Sequence, residues 1–185
     1  MKYLAEEDIV PASAFGKAAV ERETLSSSKN QRKWNLVPES GPGEYSIARA
    51  VGRWLFEAGY ENDVILAYVY ETGIWPSCEN RHLYYVWRRS HGNFDLIEES
   101  PCHLFLFHEC QELISLLHMA LLFGWGIRCY ARTFERGFDV DHDRHALLVA
   151  GDAESLDQIA SALLANRGPS PPGTADTRPS GPPAP

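Results

Sequence analysis

The octapeptide FDVDHDRH, residues 138–145, sets Asp139, Asp141 and Asp143 two apart and adds His142 and His145. Carboxylates and imidazoles at this density are the groups that hold cations and move protons. Calcium in an EF-hand geometry is excluded: a loop starting at Asp139 needs glycine at its sixth position and a bidentate glutamate at its twelfth, and those positions are Arg144 and Ala150. A zinc site would use His142 and His145, but an HxxH pair without a second ligand pair at recognisable spacing is a weak signal. No metal and no cofactor are therefore expected, and the two histidines stand only as a metal alternative. The expectation for Asp139, Asp141 and Asp143 is the solvent side of a connection between two strands. A compact acidic knuckle of that kind can pair with an Arg or Lys cluster on a protein partner.

A second constellation lies on the expected central helix, where His108, Gln111, Glu112, Ser115 and His118 fall within about 120° at about 100° per residue. As an alternative pocket, His108, Glu112, Ser115 and His118 would carry acid–base chemistry; the plainer reading is the wet side of an amphipathic helix. Cys102 with His103 or His108 is the remaining catalytic idea. Neighbours on a strand point to opposite faces, which separates Cys102 from His103, and no nucleophile motif accompanies it. GPGEY lacks the lysine of a phosphate loop. Among the aromatic residues, Trp75 in the loop GIWPSCEN either caps the core or serves as a contact hot spot for a partner. Arg88, Arg128 and Arg132, expected at outward strand positions, are assigned to pairing with nearby carboxylates.

The elements that must position these groups follow from periodicity. GEYSIARAVGRWLFEAG places Ile47, Val51, Trp54 and Leu55 at helical spacing and ends at Gly59. DVILAYVYE is apolar on both faces, as a central strand is. HLYYVWRR, turning at SHGN into FDLIEE, is expected to be a hairpin. CHLFLF reads as a strand running into a helix over 109–123, closed by Gly124. IRCYART is a strand with Ile127, Cys129 and Ala131 inward and Arg128 and Tyr130 outward. ALLVAG is another, followed by a helix over 153–164 with Asp152 as N-cap. The expected fold class is α+β: a single domain with a mixed, largely antiparallel sheet packed by about three helices.

Composition sets the outer limits. With 185 residues the chain suits one domain with a core of its own. The net charge of −8 is uneven, since residues 38–165 hold nine arginines against nineteen carboxylates while all four lysines lie within residues 1–33. That shift places a boundary near Trp34. It divides the chain into a mobile arm over 1–33, the domain over 34–165 and a Pro/Gly/Ser-rich disordered tail over 166–185. A field of this sign disfavours nucleic acid and anionic lipid and favours a basic protein partner. Four cysteines without a CxxC pair, and Glu6, Glu7 and Asp8 where a signal peptide would be hydrophobic, point to reduced thiols in a cytoplasm. The longest apolar run, 113–127, is interrupted by Ser115 and His118 and is shorter than a membrane span.

GIWPSCENRHLYY and PCHLFLFHECQELISLLHMALLFGW resemble segments of small bacterial proteins without an assigned activity. The resemblance covers about residues 36–150, implies a bacterial single-domain protein and carries over no catalytic residue. The functional expectation is an acidic cytoplasmic protein-binding module, immunity- or antitoxin-like, that neutralises a basic partner. The alternative is a small hydrolase or metal-dependent enzyme built on the helix stripe.

Overall fold

The computed structural model describes residues 2–4, 30–36, 43–56, 64–72, 80–96, 99–100, 102–131 and 136–165. In chain order the elements are β1 (Lys2–Leu4), β2 (Gln31–Asn35), α1 (Gly43–Phe56), β3 (Val64–Glu71), α2 (Arg81–Ser90), β4 (Cys102–Leu106), α3 (Cys110–Phe123), β5 (Gly126–Ala131), β6 (Arg136–Val140), β7 (His145–Ala150) and α4 (Ala153–Ala165). A single 3-10 turn, Phe107–Glu109, joins β4 to α3. The fold is α+β in one domain. Its seven described strands form one sheet in the order β1-β4-β3-β5-β6-β7-β2, and every pairing is antiparallel.

The period of two along each strand sorts side chains onto two faces. Ile65, Ala67, Val69, Phe105, Ile127, Cys129, Phe138, Val140 and Leu148 meet α1, α3 and α4 in the main core. α1 and α3 pack closely because Gly52 carries no side chain: a Cβ there would lie 2.6 Å from Ile114 Cγ1. Residues of the opposite parity are also buried, with Leu66, Cys102, Tyr130, Leu147 and Val149 forming a second cluster. The outward assignment of Arg128 and Tyr130 is therefore corrected: they are 5% and 2% exposed.

Local signals placed several ends correctly. Gly124 terminates α3 at φ 66°, the left-handed conformation that glycine adopts without steric cost. Asp152 Oδ1 accepts the Ser155 N–H at 2.6 Å and caps α4. HLYYVWRR is the main correction, since it is the helix α2 and not a strand. Strand alternation would put Tyr84, Val86 and Arg88 on one face. Instead Tyr84 and Arg88, one helical turn apart, are both fully buried while Val86 is 61% exposed. FDLIEE is likewise no strand in its described part: residues 93–96 follow the turn at His91 and Gly92 as a loop. The compositional boundary at Trp34 falls inside β2, and Lys2–Leu4 and Gln31–Asn35 supply the two edges of the sheet. The arm between those strands, residues 5–29, lies outside the described residues, as does the tail over 166–185. No described helix is long and apolar enough to cross a membrane.

Candidate functional site

The β6–β7 hairpin contains the acidic octapeptide and divides it. Phe138, Asp139 and Val140 belong to β6, and the Arg144 N–H closes a turn on the Asp141 carbonyl at 3.0 Å. Arg144 takes φ 64°, the αL position that follows a type I turn in three-residue hairpin loops. Its guanidinium reaches Glu44 Oε1 at 3.2 Å.

The assignment of Asp139 to the solvent side is corrected by its place in β6, where it is completely buried on the second face. Asp139 Oδ2 meets Arg128 Nε at 3.4 Å, and Oδ1 accepts the Tyr70 hydroxyl at 2.8 Å. Arg128 also stacks over the Tyr70 ring at 5.0 Å. This confirms the pairing expected for Arg128. Burial first, then the Asp139 carboxylate, pushes the Tyr70 phenol well above its ordinary range. The same two causes raise the Cys129 thiol.

Asp141 and Asp143 do lie in the turn. Asp141 is spent partly on the turn itself, because its Oδ1 accepts the His145 N–H at 2.9 Å and its Oδ2 lies 3.4 Å from His145 Nδ1. Asp143 is exposed and lies 3.5 Å from His142 Nε2. His142 leans across the start of β5 onto the end of β3, where Glu71 Oε2 receives its backbone N–H at 3.2 Å and contacts Nδ1 at 3.1 Å. The hydrogen bond to Glu71 is the main cause that holds the His142 pKa above its usual value. His142 and His145 thus face different carboxylates, and among the described residues no group of three or more His, Cys, Asp and Glu is placed to hold a metal ion.

The helix stripe lies along α3 and the turn before it. His108 is exposed in the 3-10 turn, and the Ser115 hydroxyl donates back to the Gln111 carbonyl at 2.9 Å. The His118 ring meets Tyr45 of α1 edge-on at 5.4 Å. Glu112, six residues before His118, is about 120° away around the helix axis, so the two stand at opposite ends of the arc that holds the stripe. Cys102 belongs to the second cluster, whereas His103, on the opposite face, lies against Tyr84. Trp75 and Arg132 lie outside the described residues.

Sequence reasoning missed a loop. Arg88 is fully buried near the end of α2, and its Nε and Nη2 both donate to Asn93 Oδ1, at 2.8 and 2.6 Å. The Asn93 N–H returns to the Arg88 carbonyl at 3.0 Å, and Asn93 Nδ2 donates to Asp95 Oδ2 at 2.9 Å. Farther along, the Leu96 N–H donates to Glu99 Oε2 at 3.1 Å, and the Glu99 and Ser100 N–H groups return to the Leu96 carbonyl. Within this bonded frame Phe94 is 75% and Leu96 54% exposed. Beneath it the Tyr84 hydroxyl is hydrogen-bonded to His103 Nε2, and Trp87 stacks on Tyr84. Burial first, then Arg88 and His91, holds the His103 pKa well below its usual value. The signal available in the sequence was the interleaving of Phe94, Asp95 and Leu96 at the start of FDLIEE, which reads equally well as a half-exposed strand.

Comparison with protein-family models, with curated proteins and with solved structures finds no match to this chain.

Proposed function

We propose that the chain is an acidic, cytoplasmic protein-binding module that neutralises a basic partner, in the manner of an immunity protein or antitoxin. The observation that carries this reading is the loop after α2. Two large apolar side chains there are held out to solvent by a framework anchored on a buried arginine, rather than left on a slack segment. Ordering apolar groups in water is costly, and rigid display of such anchors is what a protein interface requires. The sequence around them, FDLIEE, is acidic, which suits a basic partner and opposes nucleic acid. The hairpin carboxylates Asp141 and Asp143 support the same reading, whereas the buried Asp139 is left out of it. Trp75 remains a proposed contact by sequence alone.

The test is affinity capture from the native host, with wild-type protein and the double variant Phe94→Ser, Leu96→Ser as baits and captured proteins identified by mass spectrometry. The expected result is a basic protein retained by wild type and lost with the variant, while both baits give the same melting temperature. Identical captured sets from two equally folded baits would remove the loop from function.

A further inference from the structure

Strand polarity brings the entry to β4, where the Phe94 loop ends, and the acidic turn to one end of the sheet. Leu106 pairs with Val64 and Cys102 with Tyr68, so the start of β4, which the loop enters, lies beside the end of β3. Glu71 at that end pairs with Gly126 at the start of β5. Val140, at the end of β6, pairs with Ile127 and Ala146. The start of β4 and the turn are therefore separated by three strand spacings, about 14 Å, and the Ser100 N–H on the Leu96 carbonyl ties the loop to the chain two residues before that start. The lean of His142 onto Glu71 narrows the interval. Along this rim stand Asp95 and Glu99 beside the apolar pair, then Glu71, then Asp141 and Asp143. Of the arginines at this end, Arg88 is committed to Asn93, Arg144 to Glu44 and Arg128 to Asp139, while Arg89, whose carbonyl receives the Gly92 N–H, is exposed beside the loop among the more numerous carboxylates.

We propose that the loop and the turn act as a single docking rim, for a protein surface on which an apolar recess is bordered by lysine or arginine side chains. This rests on the binding-module reading and specifies its partner. Phe94 and Leu96 enter the recess and set the residence time. The carboxylates that continue the rim toward the turn meet the basic border and set the rate of encounter and its salt dependence. Charge complementarity selects this occupant over an acidic or neutral one, and the anchored loop selects a shaped protein surface over a diffuse polycation.

A synthetic amphipathic helix with a leucine face flanked by lysines supplies the probe, and a lysine–serine peptide of equal charge is its control. Amide shifts of the full-length protein locate binding, and stopped-flow rates at several salt concentrations divide it. The leucine probe is expected to bind about tenfold more tightly than the control, a difference of ~1.4 kcal/mol, with shifts centred on residues 93–96, 99–100, 71–72 and 141–145. Phe94→Ser with Leu96→Ser should erase the tenfold difference by raising the off-rate. Asp141→Asn with Asp143→Asn should lower the on-rate several-fold and flatten its salt dependence. Shifts centred on another face, or an on-rate and salt slope unchanged by the Asn pair, would overturn the single rim. If host capture still depends on Phe94 in that event, the binding-module reading stands alone. Concentration-dependent dimerisation of the wild type, abolished by Phe94→Ser, would instead assign the rim to a second copy of this chain and overturn the basic partner.

Discussion

Asp139 and Asp143, four residues apart in one octapeptide, have opposite physical roles. Asp139 is buried against Arg128 and Tyr70, and Asp143 is exposed in the turn. Removing one member of a buried ion pair leaves the other charge desolvated, which costs ~3–5 kcal/mol. Asp139→Ala is accordingly expected to lower unfolding free energy by ~3–5 kcal/mol in urea titrations. Asp141→Asn with Asp143→Asn should stay within ~0.5 kcal/mol of wild type, because the amide that replaces the Asp141 carboxylate keeps an oxygen to accept the His145 N–H. A mild effect of Asp139→Ala would mean that the Arg128–Asp139 contact is not a buried charge pair. Tests of partner binding consequently belong to the turn aspartates and not to Asp139.

At the scale of elements, α2 and the loop behind it form one unit. A strand in this place would have turned Val86 inward with Tyr84; the helix instead packs Tyr84 against Trp125 and His103 and brings Arg88 around to receive the returning chain. Asn93 is the acceptor that ties loop to helix. Hydrogen bonds to a charged group are worth ~1.5–3 kcal/mol, so Asn93→Ala should cost ~2–3 kcal/mol. It should also raise hydrogen exchange at Leu96, Glu99 and Ser100 while leaving β5 and β7 protected. Uniform loss of protection across the sheet would show that the loop is not an independently ordered unit.

At the scale of the whole molecule, the sheet is closed at both edges by strands from the start of the chain. β2 pairs along β7 over five residues, Asn30 bonds with Ala150 and Gly151, Arg32 reaches Asp157 at 2.7 Å, and Leu36 is buried. Deleting residues 1–36 would therefore strip a ladder from the apolar strand β7 and leave it as an open edge, a template for aggregation. The deletion is expected to lower the melting temperature by about 10 °C, equivalent to ~3 kcal/mol for a domain of this size, and to cause concentration-dependent association in light scattering. A truncated chain as stable and monodisperse as wild type would show that β2 adds little to the sheet.

The sequence by itself determined the α+β class, the places of α1, α3 and α4, and strands β3, β4, β5 and β7. Each of these is a local matter of apolar period, a capping side chain such as Asp152, or a glycine such as Gly124 that tolerates positive φ. Tertiary structure alone decided what the period leaves degenerate. HLYYVWRR fits strand alternation as readily as helical turns, so its helical state follows from how Tyr84 and Arg88 pack. Arg128 and Tyr130 alternate with core residues as surface positions would, and only the burial of both sheet faces makes them interior. Asp139 looks like its neighbours Asp141 and Asp143 until Arg128 and Tyr70, 11 and 69 residues away, are brought beside it. The rim itself was invisible for the same reason: the start of β4, into which the Phe94 loop leads, and the end of β6, from which the turn of Asp143 leaves, share an end of the sheet through strand pairing, a relation between distant residues that no local pattern encodes.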